Sequence, residues 1–183
     1  MFVGVGTLVN VAVMGLGGLG HMGVKFAVAM GAEVTVLSHS PQKKDDAIAM
    51  GVHHFVATND DSVFKEHAKS FDVILNTVSA ELDINKYVSL LKLDGTLVVI
   101  GLPGKPYAVH VGSLLDGRRS IAGSMIGGIP QLQEMLNFCG VDNEAIFHIA
   151  CNCALVGFID VVGLNYFHIA DNILFAAEIE HLL

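Results

Sequence analysis

Gly15, Gly17 and Gly20 stand at G-x-G-x-x-G spacing inside Gly15-Leu16-Gly17-Gly18-Leu19-Gly20, directly after the apolar run Val9-Asn10-Val11-Ala12-Val13-Met14 and directly before a helical pattern. In a strand–turn–helix context the three glycines have separate physical tasks. One permits the tight turn, one lets the backbone approach a pyrophosphate, and one lets the helix pack close to the strand. The free N–H groups and positive dipole end of such a helix form an anion site without any basic side chain. The stretch therefore predicts a dinucleotide-binding turn.

A second set of residues bears on which dinucleotide. A carboxylate about 20 positions past the glycines, at the end of the second strand, would accept hydrogen bonds from an unmodified ribose diol. The second strand here, Glu33-Val34-Thr35-Val36-Leu37, ends in Ser38-His39-Ser40, with Lys43 and Lys44 close behind, and Glu33 lies at its opposite end. Hydroxyls, an imidazole and positive charge, with no carboxylate to repel a 2′-phosphate, favour NADP over NAD. The competing reading has the serines capping the next helix and the lysines solvated.

The elements that must hold these groups follow an alternating pattern. Gly31 ends the first helix, so the first thirty-odd residues form a βαβ unit with parallel strands. Ser40-Pro41 opens a helix that stops at Gly51, and His53 to Ala57 is a short third strand. A polar helix is expected over Asp60 to Lys69, a fourth strand over Phe71 to Asn76, a helix over Asp83 to Leu91 and a fifth strand over Gly95 to Gly101. Pro103, Gly104 and Pro106 mark a loop. Ser120 to Met125 reads as a sixth strand and Pro130 to Cys139 as a helix. The fold class is α/β, a Rossmann-type doubly wound parallel sheet of about six strands with helices on both faces, binding its ligand at the carboxyl ends of the strands. Beyond Cys139 the pattern blurs: Glu144 to Leu164 is apolar and mixed, and Ile169 to Leu183 reads as an amphipathic helix.

Bulk properties exclude several classes. The 183 residues are 52% hydrophobic and 15% charged, and the net charge of −8 leaves no basic face for nucleic acid or anionic membrane. No charge precedes Lys25, yet six glycines interrupt this run by Gly20 and no basic segment opens it, which argues against a leader or a membrane span. The three cysteines form no disulfide framework and fit a reducing compartment, hence an expected cytoplasmic location. Cys151, Cys153 and His148, with Cys139, His168 and His181 farther off, match no common zinc spacing and read as buried thiols and ordinary histidines.

Several separated motifs in one order are more specific than the glycines alone. Gly15 to Ala27, Leu37-Ser38-His39-Ser40 with Lys43-Lys44, Leu90-Leu91-Lys92-Leu93-Asp94-Gly95, and Gly123-Ser124-Met125-Ile126-Gly127-Gly128 resemble the zinc-dependent medium-chain alcohol dehydrogenases, in their cinnamyl-alcohol-dehydrogenase-like branch. The resemblance runs from about Val5 to Cys139. It implies NADP(H)-dependent interconversion of primary alcohols and aldehydes, with a catalytic zinc polarising the oxygen. It further implies that Gly15, Gly17, Leu19 and Gly20, within the loop that includes Leu16 and Gly18, hold the pyrophosphate, and that Ser38, His39, Ser40 and Lys43 surround the 2′-phosphate. Thr77 and Gly101 correspond to positions along the cofactor's ribose. Ser124 and Ile126 correspond to the segment that meets the nicotinamide carboxamide, beside a strand that often forms a homodimer contact.

The chain has no Gly-His-Glu segment and none of the zinc-ligating cysteines that the family carries on a separate domain, and residues 140–183 align with nothing in the family. The expectation is an NADP-binding domain over residues 1–139 and a C-terminal segment of other character over 140–183. The resemblance implies the cofactor half of an alcohol dehydrogenase, without catalytic or metal residues of its own, zinc being expected only with the missing domain. The alternative is a non-catalytic dinucleotide-binding or structural remnant. An S-adenosylmethionine methyltransferase is disfavoured by the later motifs.

Overall fold

The computed structural model describes residues 9–124 and 128–142. The chain forms two compact units, Met1–Gly123 and Ser124–Leu183. In the first unit, six strands alternate with helices: β1 (Asn10–Met14), α1 (Gly18–Ala29), β2 (Glu33–Ser38), α2 (Lys44–Ala49), β3 (His54–Ala57), α3 (Ser62–Glu66), β4 (Phe71–Asn76), α4 (Ile84–Val88), β5 (Leu91–Val99), α5 (Val111–Leu115) and β6 (Ser120–Gly123). The described part of the second unit contains α6 (Ile129–Asp142), in which Met135 and Cys139, one turn apart, are buried.

All strand pairs are parallel and the order across the sheet is β3-β2-β1-β4-β5-β6. The chain thus builds outward from β1 in one direction, returns, and builds outward in the other from β4. The reversal lies between β1 and β4, where Val11 to Met14 pair with Val73 to Asn76. Crossover helices diverge at such a point and leave a crevice at the carboxyl ends of the strands.

Both faces of the sheet are covered, which is why its central strands read as unbroken apolar runs. α1 lies on the face that carries Val13 and Leu75: a Cβ placed on Gly23 would stand 3.7 Å from Val13 Cγ1 and 3.6 Å from Leu75 Cδ1. On the other face Ala12, Met14, Leu37, Ile74 and Leu97 pack with Ile84 and Val88 of α4.

Several expected boundaries move. The helix expected from Ser40-Pro41 begins as one 3-10 turn over Pro41–Lys43, and the Ser40 hydroxyl makes no capping bond. The helix expected over Asp60 to Lys69 contracts to Ser62–Glu66. The fifth strand starts at Leu91, because Asp94 takes a left-handed φ of +61° and absorbs a register shift opposite Phe71 to Val73, letting the strand continue through a polar segment that reads as a turn. α5 lies between the loop marked by Pro103, Gly104 and Pro106 and the sixth strand, where no element is expected. The sixth strand ends at Gly123, and Met125, Ile126, the apolar stretch to Leu164 and the expected helix from Ile169 lie outside the described residues.

Candidate functional site

The glycine turn sits at the carboxyl end of β1, on the β1/β4 reversal, and its glycines differ in what surrounds them. Gly15 has φ +83°, a left-handed backbone that a side chain would strain, and its N–H donates to the Leu37 carbonyl at 2.8 Å. Gly20, in the first turn of α1, is pressed on the turn itself: a Cβ there would stand 2.1 Å from the Gly15 carbonyl oxygen. Gly17 differs from both. It is exposed, its φ of −98° suits any residue, and an added Cβ would meet nothing within 4 Å. Gly15 and Gly20 are therefore required by the fold, whereas the bare backbone at Gly17 faces open space, as a surface for close approach of a ligand must.

Gly17 is also the residue that precedes α1. No side chain caps the helix and no acidic residue occupies its first turn, so its dipole and leading N–H groups are left without a capping side chain or first-turn carboxylate. Leu16 and Leu19 flank the turn half-buried and Gly18 is exposed. His21, one residue past the motif, has an imidazole held below its ordinary value near 6.5, first by burial and then by the neighbouring positive charge of Lys25.

At the end of β2 the four residues expected around a 2′-phosphate behave differently. Ser38 is buried, and its hydroxyl accepts from the Ser40 N–H at 3.2 Å, shaping the turn. His39 is exposed and Ser40 is half-exposed. Lys43 folds back across the turn, its Nζ donating to the Leu16 carbonyl at 2.9 Å. This contact links the two halves of the expected adenosine site, 27 residues apart in sequence, and holds a cation against the glycine turn.

Across the reversal, the Thr77 hydroxyl donates to the Met14 carbonyl at 2.7 Å. That donor is spent on fastening β4 to β1, which leaves Thr77 an acceptor toward any ligand. Gly101 packs on the same loop, a Cβ there standing 2.6 Å from the Val78 carbonyl oxygen. Gly15, Gly20, Thr77 and Gly101 thus line one wall around Val78. Ser124 belongs to the second unit, and Ile126 lies outside the described residues.

A residue that sequence reading passes over sits behind this wall. Asn76, fully buried at the end of β4, donates through Nδ2 to the Tyr107 hydroxyl at 2.9 Å and accepts the Val78 N–H at Oδ1 at 3.0 Å. A fully buried amide closing an otherwise apolar strand is the signal that could have found it.

A separate cleft of about 530 Å³ is lined by Asn10, Glu33, Thr35, His54, His67 and Phe71 among others. Asn10, Glu33, His54 and Phe71 each begin a strand, so this cleft lies at the amino edge, opposite the glycine turn. Among the described residues no three His, Cys, Asp or Glu side chains are grouped to hold a metal ion, and no helix is long and apolar enough to cross a membrane. Cys151, Cys153 and His148 lie outside the described residues.

Comparison with known proteins agrees with this geometry. The profile of a family described as zinc-binding dehydrogenase matches residues 18–140. A protein of Bacillus subtilis named probable formaldehyde dehydrogenase AdhA is 57% identical over 129 residues, which is 70% of this chain and 37% of that protein. NADP-dependent alcohol dehydrogenase C 1 of Mycolicibacterium smegmatis is 58% identical over 130 residues, 71% of this chain and 37% of that protein. The crystal structure of the Helicobacter pylori enzyme described as CAD complexed with NADP(H) superposes with a TM-score of 0.64 at 41% identity, over 72% of this chain and 38% of that one. The chain spans less than two-fifths of the length of each of these relatives.

Proposed function

The chain belongs to the zinc-binding dehydrogenase family, and from that premise we propose that it binds NADP(H) along the carboxyl edge of its sheet as the cofactor-binding part of an alcohol dehydrogenase or aldehyde reductase. The observation that carries this reading is Gly17. It is the motif glycine that the fold does not need, and it lies at the uncapped N-terminus of α1, where a pyrophosphate would take the free N–H groups. Names of relatives support the choice of NADP: one is an NADP-dependent alcohol dehydrogenase and a solved neighbour is an NADP(H) complex.

In this reading Gly15 and Gly20 shape the turn and Gly17 admits the pyrophosphate. Leu16, Gly18 and Leu19 complete the loop, and His39, Ser40 and Lys43 receive the 2′-phosphate on the scaffold that Ser38 shapes. Lys43 stands ready for this because its ammonium is already held over the turn. Thr77 and Gly101 border the ribose of the nicotinamide half. The bound cofactor would supply hydride for reduction of an aldehyde carbon, or accept it from a primary alcohol. The same reading assigns residues 1–139 to the NADP-binding domain, places the protein in the cytoplasm, and assigns β6, the last strand in the sheet order, to contact with a second copy.

The test is titration of the full chain with NADPH and NADH, followed by nicotinamide fluorescence or calorimetry. A charge-assisted set of contacts to the 2′-phosphate predicts NADPH binding roughly tenfold or more tighter than NADH. NADH binding at least as tight would overturn the 2′-phosphate assignment. Absence of binding by either would favour a structural remnant.

A further inference from the structure

The loops that follow β4 and β5 are fixed to one another through a single buried residue. The Asn76 carbonyl accepts both the Ile100 N–H and the Gly101 N–H at 2.9 Å. Its side chain holds the Val78 N–H on one side and the Tyr107 hydroxyl on the other. Asn76 therefore touches the β4 loop, the start of the β5 loop and the far limb of that same loop. Val78 sits where these meet: Cβ positions on Gly15 and Gly101 would fall 2.8 Å from its Cγ2 and 2.6 Å from its carbonyl oxygen.

Burying an amide gains little net stability, since an apolar residue of similar size would fill the space without losing hydration. What the hydrogen bonds of Asn76 provide is placement, because each has a fixed length and direction. The Tyr107 ring rests half-buried on the core, and among the described residues its hydroxyl is engaged with Asn76 alone. In a doubly wound sheet the half built on β1 to β3 takes one mononucleotide and the half built on β4 to β6 takes the other. The end of β2 reads the adenosine side, so the Asn76 network stands behind the nicotinamide side.

We propose that Asn76 and Tyr107 are positioning residues for the nicotinamide half of the cofactor, setting the Val78–Gly101 wall without touching the adenosine half. This inference rests on the NADP(H) reading above.

The experiment uses the full chain with two probes, NADPH and 2′,5′-ADP, the second carrying only the adenosine end. For Tyr107→Phe we expect the 2′,5′-ADP dissociation constant to stay within about twofold of the unaltered chain, while that of NADPH rises about three- to tenfold, the worth of one hydrogen bond. The fluorescence gain of bound NADPH should fall with it. Asn76→Asp keeps acceptors for both the Val78 N–H and a reversed Tyr107 O–H, and should retain most of the NADPH-to-2′,5′-ADP ratio of the unaltered chain. Equal weakening of both probes in Tyr107→Phe would show a merely structural role and overturn the proposal, as would no change in either. If the unaltered chain binds neither probe, the NADP(H) reading itself falls, and this inference with it.

Discussion

Gly20 and Gly15 are in such close approach that a single added carbon on Gly20 would stand 2.1 Å from the carbonyl oxygen of Gly15. The obstacle is backbone, which cannot swing aside as a side-chain tip can. Gly20→Ala should therefore cost roughly 3 kcal/mol or more. Urea unfolding followed by circular dichroism would measure this, and a midpoint equal to that of the unaltered chain would refute the packing described.

Gly17→Ala is the informative contrast. Its backbone is already one that alanine adopts and no atom obstructs the methyl group. Stability should stay within about 1 kcal/mol, the unfolded chain's lost freedom being offset by the poorer fit of alanine to the helix N-cap. NADPH affinity should nonetheless fall about tenfold or more as the pyrophosphate is pushed from the helix terminus. A variant that binds NADPH normally would remove the main support for the proposed site.

Lys43→Met should lower NADPH affinity roughly tenfold by removing a charge-assisted contact to the 2′-phosphate. NADH should lose less, only what the Lys43 bond to the Leu16 carbonyl contributes to the shape of the turn. Parallel titrations decide it. An identical loss for both cofactors would mean that Lys43 acts on the turn alone.

The lowered His21 pKa makes stability depend on pH in a stated direction. The unfolded chain takes up the proton first as pH falls through the ordinary value near 6.5, so the contribution of His21 is present above that value and lost as pH falls through the lower folded-state value. His21→Gln should flatten the fall in melting temperature between about pH 7 and about pH 5. Partial exposure keeps the effect modest, and an unchanged slope would show the imidazole to be insensitive to its site.

β6 pairs with β5 on one side and ends the sheet on the other. If a second copy adds there, sedimentation should show a dimer, and Ala122→Lys, on an exposed position of that strand, should shift it toward monomer. A monomer at all concentrations would refute that contact.

The strands were legible because burial on both faces writes them as β-branched runs: Phe71 to Asn76 is found at its expected limits. The start of β5 was not, since Lys92, Asp94 and Gly95 read as a turn and only the left-handed Asp94, tied to Arg118 and to the Gly117 carbonyl, shows how the strand passes through. α5 has five residues, one a glycine, too few to express a helical period. In the site, the glycine turn is local and could be read from spacing. The Lys43–Leu16 and Asn76–Tyr107 contacts join residues 27 and 31 positions apart, and nothing in the types of those residues pairs them before the chain is folded.

The pairing of β1 with β4 also fixes the order in which the glycine turn can be finished during synthesis. The turn is made early, yet Thr77, which fastens to Met14, and Gly101, which closes on Val78, arrive 63 and 86 residues later than Met14 and Gly15 respectively. A nascent chain halted before Phe71 holds β1 with one neighbour in place of two, its β4-facing edge unpaired. Such long-range parallel pairing folds slowly and leaves apolar strands exposed meanwhile. The phosphate turn thus leaves the ribosome well before the residues that give it its final surroundings.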